Sequence, residues 1–438
     1  MLGRPQVPRS LRLPRSSVRR HMSHFRVIEH TVRCSHTRER PGAVKPGHEN
    51  DLKLAVKHYI PLDNPSPKEG DVTLVGAHAN GFPKELYEPL WDDIHTSLKK
   101  HNKRIRSIWI ADVAQQGQSG ILNEPILGND PSWTDHSLDL LSLINTHASE
   151  IPHPIIGIGH SMGGMQLAHL SLLHPSLFSG LILIDPVIQR ENPGLKYAKA
   201  STFRRDLWPS REAAVEKFNS SPFYQAWDKR VLEKWVQFGL RDLPTPLYPD
   251  TKEGGVTLAS TKAQELYFYL RTSYTDSRTG ISRGKPQEEM HPDDAELQTM
   301  SEGKEVPFYR PEPANVFRRL PEVKPPVLYL FGEKSEMSSS EAQAQKMRVT
   351  GTGVGGSGGV ERGTVQEVVL PAGHLVPMEA VKECGEACAG FISQIVSGWE
   401  RRIEEYRRVW DGVADSERGG VEAQWVEEIG KLGYKSRL

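Results

Sequence analysis

The chain has 438 residues, of which 37% are hydrophobic and 25% charged, the content of an ordinary globular protein with room for about two to three domains. Its 55 lysines and arginines balance its 55 aspartates and glutamates, which argues against a nucleic-acid partner, and no apolar run is long enough to cross a bilayer. We therefore expect neither nucleic-acid binding nor a transmembrane segment.

The N-terminus is the first segment with a distinct composition. Residues 1–20 contain six arginines and three serines and no acidic residue, a composition that resembles a transit peptide. Three prolines would interrupt the amphipathic helix that such a peptide needs. We predict that residues 1–24 are an unstructured extension. The alternative is that translation starts at Met22, in which case the residues before it are not native to the protein.

An early strand is predicted over residues 71–76, and the loop after it reads Asn-Gly-Phe-Pro from Asn80. A loop in this place supplies one backbone amide to the oxyanion hole of many serine hydrolases. Here that amide would come from Phe82, with Asn80 or His78 shaping the loop. The alternative is an ordinary loop, because glycine and proline punctuate loops of every kind.

The most informative segment lies at residues 155–164, where an apolar run ends at a serine flanked by glycines. It reads Ile-Ile-Gly-Ile-Gly-His-Ser-Met-Gly-Gly, and residues 165–173 continue with helical apolar spacing. A G-x-S-x-G serine between a strand and a helix is typical of a nucleophile elbow, in which small neighbours allow a strained turn. We predict that Ser161 is a nucleophile and that the Met162 amide is the second oxyanion donor.

A serine hydroxyl is a weak nucleophile and needs a base, which should follow a strand far downstream. A strand is predicted over residues 365–370, and His374 stands in the loop beyond it, in the context Gly-His-Leu-Val-Pro-Met-Glu. None of the other histidines stands in such a context after a predicted final strand. We therefore predict that His374 is the general base.

These motifs together resemble the α/β-hydrolase superfamily over residues 25–410. The segment in which Gly117 and Ser119 follow Asp112 is similar to one that follows the fourth strand of that family. More narrowly, segments 76–91, 128–133 and 351–359 resemble fungal peroxisomal hydrolases of host-selective toxin biosynthesis and, more distantly, the yeast peroxisomal lipase. The resemblance implies a mostly parallel sheet flanked by helices, with an inserted helical cap.

The acid of the expected triad departs from the family pattern. Most members carry an aspartate in a turn after the strand that is predicted here over residues 326–331, and this chain has Ser335 in that place. A serine cannot carry the negative charge that stabilises an imidazolium. Asp185, which follows the strand after the nucleophile helix, is one alternative, and Glu336 and Glu333 are the others. All three lie between Ser161 and His374 in the chain, so the order serine, acid, histidine does not distinguish them.

An aromatic insertion separates the two halves of the predicted core. Residues 203–274 are rich in Phe, Trp and Tyr, and Phe223, Trp227, Val231 and Trp235 fall on one predicted helical stripe. Such a stripe indicates packing against the core more often than a substrate wall. The predicted organisation is an extension at 1–24, a core at 25–188 and 321–412, a cap at 189–320 and a tail at 413–438.

Cysteine and glycine patterns give no sign of a metal or a cofactor. Cys34, Cys384 and Cys388 are too few for a disulfide framework. Cys384 and Cys388 stand four apart on a predicted helix, without further ligands nearby, and we interpret them as buried small hydrophobic residues. Segment 351–359 lacks the Lys-Ser/Thr pair of a phosphate-binding loop, so we interpret it as a surface loop.

The last three residues, Ser436, Arg437 and Leu438, are a conservative relative of the peroxisomal Ser-Lys-Leu address. We expect import into peroxisomes through the receptor for that address, with the mitochondrion or the cytosol as alternatives. The predicted activity is hydrolysis of a carboxylic ester or thioester through an acyl-enzyme, in fungal lipid or secondary metabolism. The alternative, suggested by the missing aspartate, is a catalytically silent protein of the same fold that binds a small ligand.

Overall fold

The computed structural model describes residues 24–35, 37–190, 194–278, 280 and 307–432. The predicted extension at 1–24, apart from its last residue, and the address at 436–438 lie outside the described residues. Among the helices that are described, none is long and apolar enough to span a membrane.

The core of the fold is one sheet of eight strands. In chain order these are β1 (Phe25–Arg33), β2 (Lys53–Pro61), β3 (Val72–Ala77), β4 (Ile105–Ala111), β5 (Ile155–His160), β6 (Gly180–Ile184), β12 (Val327–Gly332) and β13 (Val365–Leu370). Their spatial order is β1-β2-β4-β3-β5-β6-β12-β13. β2 pairs antiparallel with both of its neighbours, and the run from β4 to β13 is parallel.

Helices cover both faces of this sheet. They are α1 (Glu88–Lys100), α2 (Gly117–Asn123), α3 (Thr134–Thr146), α4 (Met162–Leu173), α10 (Glu312–Arg319), α11 (Ser340–Val349), α12 (Val376–Glu379) and α13 (Val381–Asp411). The central strands β3, β5, β6 and β12 are buried along their whole length. This is why they read as continuous apolar runs rather than as alternating patterns.

Alternate side chains of each strand enter opposite halves of the core. Leu328 and Leu330 of β12 belong to the cluster that contains α1 and the first half of α13. Tyr329 and Phe331 belong to the cluster on the other face, beneath α3 and α4. The predicted fold class, a mostly parallel sheet flanked by helices, is confirmed.

The insertion between β6 and β12 contains short helices and two small antiparallel sheets. Its described elements are α5 (Gly194–Phe203), β7 (Leu207–Trp208), α6 (Arg211–Asn219), α7 (Pro222–Gln225), α8 (Lys229–Phe238), β8 (Leu240–Asp242), β9 (Val256–Leu258), α9 (Lys262–Tyr269), β10 (Arg271–Thr272) and β11 (Phe308–Tyr309). The sheets have the orders β7-β9-β8 and β10-β11. Helical periodicity had predicted the helices but not these strands, which are only two or three residues long.

The chain after the core continues as exposed helix. α13 is buried only from Val381 to Val396, and its second half projects into solvent. Two short helices, α14 (Asp415–Arg418) and α15 (Ala423–Lys431), follow with every residue exposed. The described part of the predicted tail at 413–438 therefore lies outside the hydrophobic core.

The buried histidines make the stability of this fold sensitive to acid. Burial lowers the pKa of His58 and His95 from 6.5 to about 4 and that of His136 to about 3. These side chains stay neutral in the folded protein at pH values where the unfolded chain takes up a proton, so stability falls as pH drops below about 6.5. Burial also raises the pKa of Asp135 to about 7, which opposes the effect by one proton.

We expect the free energy of unfolding to fall between pH 7.5 and pH 5, by up to about 1.4 kcal/mol per pH unit for each uncompensated histidine. Urea unfolding followed by tryptophan fluorescence at several pH values measures this. His58→Phe, which keeps the stacking on Trp109 at 3.8 Å, should reduce the slope, and the exposed His101→Gln should leave it unchanged. Equal stability of the wild type at pH 5 and pH 7.5 would contradict the analysis.

Candidate active site

Ser161 stands on the turn between β5 and α4, as the elbow motif predicts. Its backbone has φ 56° and ψ −115°, a conformation that costs free energy for any residue other than glycine. The turn is held by the Ser161 amide, which donates to the Ile184 carbonyl at 2.9 Å, and by the Val187 amide, which donates to the Ser161 carbonyl at 3.2 Å. The strained residue is thus fixed by the neighbouring strand.

Asp185 follows β6 at the same edge of the sheet and is strained in a similar way. Asn102, Ser161 and Asp185 are the non-glycine residues with positive φ in the described part of the chain, and Asp185 has φ 38°. Its amide donates to the Leu330 carbonyl of β12 at 2.7 Å. Backbone strain of this kind persists only where the surroundings over-determine the conformation, and it concentrates at functional sites.

His374 bridges these two residues. Its Nδ1 donates to Asp185 Oδ2 at 2.5 Å, and its Nε2 accepts from Ser161 Oγ at 2.8 Å. Asp185 is fully buried and Ser161 is 5% exposed. The structure therefore brings together the predicted nucleophile, the predicted base and one of the three predicted acids.

The other two acids lie elsewhere. Glu333 and Glu336 are exposed, and Glu336 pairs with Lys196 on the surface. Ser335, which stands where the family carries its aspartate, donates its hydroxyl hydrogen to Asp185 Oδ2 and accepts from the Met337 amide at 3.3 Å. The residue that departs from the family pattern therefore supports the carboxylate on the next strand.

A buried lysine, which no sequence pattern indicated, interacts electrostatically with this carboxylate. Lys346 of α11 is fully buried, and its ammonium makes long contacts of 3.3 to 3.5 Å with Ser338 Oγ, the Ala342 carbonyl and Gln189 Oε1. Burial lowers the pKa of Lys346 to about 8, and the negative charge of Asp185 partly offsets that effect. The ammonium thus contributes positive charge behind the acid.

A chain of buried hydrogen bonds connects the loop after β3 with the loop that carries His374. The Ala79 amide donates to the Tyr87 hydroxyl at 2.8 Å, the hydroxyl donates to His160 Nδ1 at 2.9 Å, and His160 Nε2 donates to the His374 carbonyl at 3.0 Å. The His374 carbonyl can only accept, so His160 Nε2 must be the donor. The Nδ1 of the neutral imidazole must then accept from the Tyr87 hydroxyl. Burial, together with His374, lowers the pKa of His160, and the imidazole is neutral.

The loop after β3 is held by side-chain hydrogen bonds to its backbone and to Asn80. Gly81 has φ 84°, and its amide donates to Gln116 Oε1 at 2.8 Å. Asn80 accepts from Gln116 Nε2 at 2.6 Å and donates to the Glu265 carbonyl at 3.1 Å. The Phe82 amide, a predicted oxyanion donor, donates to the Ala79 carbonyl at 3.2 Å.

The two other residues named for this site are placed as follows. His78 Nδ1 donates to the Ala79 carbonyl at 2.8 Å and Nε2 accepts from the Val113 amide at 2.9 Å, so His78 ties this loop to the one after β4. Met162 opens α4, and amides in the first turn of a helix have no partner within the helix.

Aromatic rings of the insertion cover the loop after β3. The Phe82 ring lies 5.8 Å from Trp227 and 6.1 Å from Trp235. The prediction of one helical stripe was wrong, because α7 ends at Gln225 and Asp228 caps the new helix α8 by accepting from the Arg230 amide. Trp227, Val231 and Trp235 are core residues as expected, but Phe223 is 53% exposed.

The remaining predictions concern Cys384, Cys388 and the glycine-rich segment. Both cysteines are fully buried on α13. The glycine-rich segment folds back on the chain before β12, where Gly351 and Gly353 donate to the carbonyls of Leu320 and Pro321. It is a tight surface loop, as predicted.

The sequence profile of the α/β hydrolase family matches residues 74–389 of the chain. The chain belongs to the α/β-hydrolase family. Among its relatives, the type I acyl-CoA thioesterase mpaH' of Penicillium brevicompactum is 37% identical over 94% of this chain and 98% of the relative. The mpaH thioesterase of Penicillium roqueforti is 36% identical over 94% and 99%.

A more distant relative and one solved structure are also similar to this chain. An abhydrolase domain-containing protein of Alternaria alternata is 28% identical over 63% of this α/β-hydrolase and 97% of the relative. The solved structure of a peroxisomal α/β-hydrolase of Saccharomyces cerevisiae superposes with a TM-score of 0.62, at 18% identity, over 94% of this chain and 97% of that one. The family match and the two thioesterase relatives agree with the predicted class of enzyme, a hydrolase of the α/β-hydrolase fold.

The elbow geometry of this α/β-hydrolase makes two of its glycines sterically necessary. A Cβ on Gly163 would stand 2.2 Å from the Ala77 carbonyl oxygen, and one on Gly159 would stand 2.4 Å from the Gly163 carbonyl oxygen. Backbone atoms on adjoining elements cannot move away cheaply. Gly390, on the exposed side of α13, would meet nothing within 4 Å.

We expect Gly163→Ala and Gly159→Ala to lower the free energy of unfolding by more than about 2 kcal/mol or to prevent folding. Gly390→Ala should be neutral or should stabilise by about 0.5–1 kcal/mol, since alanine is the better helix former. Chemical denaturation of the purified variants measures all three changes. A Gly163→Ala protein as stable as the wild type would show that the elbow is looser than described.

Proposed function

We propose that this chain is a serine-dependent thioesterase whose substrate class is acyl-CoA, and that Ser161, His374 and Asp185 are its catalytic triad. The observation that carries the proposal is the continuous hydrogen-bond path from Ser161 Oγ through His374 to Asp185, at 2.8 and 2.5 Å. Nucleophile and base lie within hydrogen-bond reach, and a buried carboxylate orients the base.

The acylation step follows from this geometry. Ser161 Oγ attacks the carbonyl carbon of the thioester while His374 Nε2 takes the hydroxyl proton. Asp185 accepts from Nδ1 and stabilises the imidazolium that forms. His374 then gives the proton to the departing sulfur, and an acyl-Ser161 ester remains. Water activated by His374 attacks this ester, and the carboxylic acid leaves.

The tetrahedral intermediates carry a negative oxygen, for which we propose the amides of Met162 and Phe82. The Met162 amide belongs to the first turn of α4, where an N–H is available to a ligand and the helix dipole favours negative charge. The Phe82 amide closes a turn through a 3.2 Å bond to Ala79, and an oxyanion would take the place of that carbonyl as acceptor. Two such donors are what acyl transfer requires.

Thioester rather than simple ester hydrolysis is favoured by the relatives. The two Penicillium thioesterases match over nearly their full length, insertion included. The alternative of a catalytically silent protein was motivated by the missing aspartate after β12. The missing aspartate is no argument for a silent protein, because His374 has a carboxylate partner, Asp185, from the neighbouring strand.

We expect Ser161→Ala to reduce kcat for acyl-CoA hydrolysis on the order of 10⁶-fold and Asp185→Asn by up to about 10⁴-fold, because the first removes the nucleophile and the second the imidazolium-stabilising charge. Release of free thiol from acyl-CoA panels of graded chain length, with ester panels alongside, measures the activity. The same assay identifies the preferred acyl group.

Glu336→Gln is the matched control, since it removes one carboxylate charge next to the same turn without touching His374. It should leave kcat within about twofold, because surface ion pairs contribute little. A large loss in Glu336→Gln combined with near-normal activity in Asp185→Asn would refute the assignment of the acid. Near-normal activity of Ser161→Ala would refute the mechanism.

We further propose that the protein is imported into peroxisomes through Ser436, Arg437 and Leu438. These residues supply the small, basic and apolar side chains of the Ser-Lys-Leu address. The exposed helices α14 and α15 support the proposal, because they hold the preceding chain away from the core, where a receptor can reach it.

We expect a fluorescent protein fused to the N-terminus, with Leu438 left as the free C-terminal residue, to give a punctate peroxisomal signal in a fungal cell. The same fusion without residues 436–438 should be diffuse. A C-terminal fusion that leaves residues 1–20 free tests the competing arginine-rich segment. Mitochondrial signal in that fusion, together with no peroxisomal signal in the first, would overturn the proposal.

A further inference from the structure

A cavity of about 350 Å³ lies in the insertion, between the end of α5, β7, α6 and α7. Seven residues line it, and all except Leu258 are of two chemical kinds. Three are aromatic and three are cationic: Trp208, Phe218 and Tyr224, and Arg204, Arg205 and Lys217. None of these residues belongs to the hydrolytic site described above.

The aromatic wall is continuous with the loop after β3 through ring contacts. The Phe218 ring lies 5.6 Å from Trp208 and 4.7 Å from Tyr224. Behind them Trp235 lies 6.2 Å from Phe218 and 6.1 Å from Phe82. One layer of rings thus separates the cavity from the proposed oxyanion donor.

The cationic wall has capacity for negative charge. Within the residues that the structure describes, no carboxylate pairs with Arg205 or Lys217, and both side chains are exposed. Arg204 pairs with Glu265, and its buried Nε has no hydrogen-bond partner among the described residues. The planar guanidinium of Arg205, which is exposed and has no carboxylate partner among the described residues, suits a phosphate oxygen.

The distance from this cavity to the reacting atoms can be estimated along helix α5, which runs from near His374 to the cavity. The Tyr197 ring of α5 lies 6.5 Å from the His374 ring, and Arg204 stands seven residues later, just past the end of the helix. A rise of 1.5 Å per residue places Arg204 about 10 Å further along the axis. Glu265 also connects the cavity with the loop after β3, because its side chain pairs with Arg204 and packs against Gly81.

We propose that this cavity binds the nucleotide of an acyl-CoA substrate, with the adenine on the aromatic wall and the phosphates on Arg204, Arg205 and Lys217. Coenzyme A is a thiol separated by a flexible arm from an adenosine that carries several phosphate charges, and an aromatic face beside cations is how proteins hold such groups. An acyl chain would gain nothing from three cations. The inference rests on the proposed thioesterase function.

The test is the double variant Arg205→Gln with Lys217→Gln, both exposed and outside the hydrolytic site. For an acyl-CoA that the wild type hydrolyses, we expect KM to rise about five- to tenfold with kcat unchanged, because partly exposed ion pairs each contribute modestly. For the pantetheine thioester of the same acyl group, which lacks the nucleotide, KM should not change. KM for acyl-CoA should also rise with salt in the wild type and less so in the variant.

The matched control is Lys199→Gln with Lys229→Gln, which removes two charges from exposed positions of the same insertion outside the cavity. It should leave both KM values unchanged. An unchanged KM for acyl-CoA in the cavity variant, or an equal change for the pantetheine thioester, would overturn the inference.

Direct binding separates this inference from the proposed function. If the wild type hydrolysed esters but not acyl-CoA, the thioesterase proposal would fail by itself. Calorimetry with adenosine 3′,5′-bisphosphate would still decide about the cavity. Binding that is lost in Arg205→Gln with Lys217→Gln supports the site, and no binding by the wild type refutes it.

Discussion

The parallel pairing of β3, β5, β6, β12 and β13 is the constraint on which the site depends. Parallel strands end at the same edge of a sheet, so the residues that follow them converge although they are far apart in the chain. Ser161, Asp185 and His374 follow β5, β6 and β13, and the loop of Phe82 follows β3. The pairing of Ile184 with Leu330 and of Phe331 with Val369 fixes the depth of each loop.

A second connection runs beneath this edge and joins the loops directly. The path from Ala79 through Tyr87 and His160 to the His374 carbonyl ties the loop of the proposed oxyanion donor to the loop of the proposed base. A neutral His160 is essential to the pattern, because only a neutral imidazole accepts at Nδ1 while it donates at Nε2. Burial supplies that neutrality by lowering the pKa of His160.

Much of this arrangement was predictable, because its signals are local. The strand, turn and helix around Ser161 follow from apolar spacing and glycines, and the strand at 365–370 was predicted at its observed bounds. The helical stripe failed because Asp228 caps a new helix, an effect of one side chain that periodicity does not report. No sequence pattern indicated the role of His160, because its partners Tyr87 and His374 are 73 and 214 residues away in the chain. Lys346 was missed because a lysine is rarely fully buried.

The choice of acid was undecidable from sequence for a related reason, since the candidates follow two strands whose adjacency only the structure shows. β6 and β12 are adjacent, and the Ser335 hydroxyl reaches the same oxygen of Asp185 that His374 contacts. A carboxylate at position 185 or at position 335 would therefore stand within reach of the same imidazole. Two carboxylates so close would repel each other and raise the pKa of one of them. With serine at the second position, a hydroxyl donates to the single carboxylate and stabilises its charge, which fits the proposal that Asp185 on the neighbouring strand is the acid.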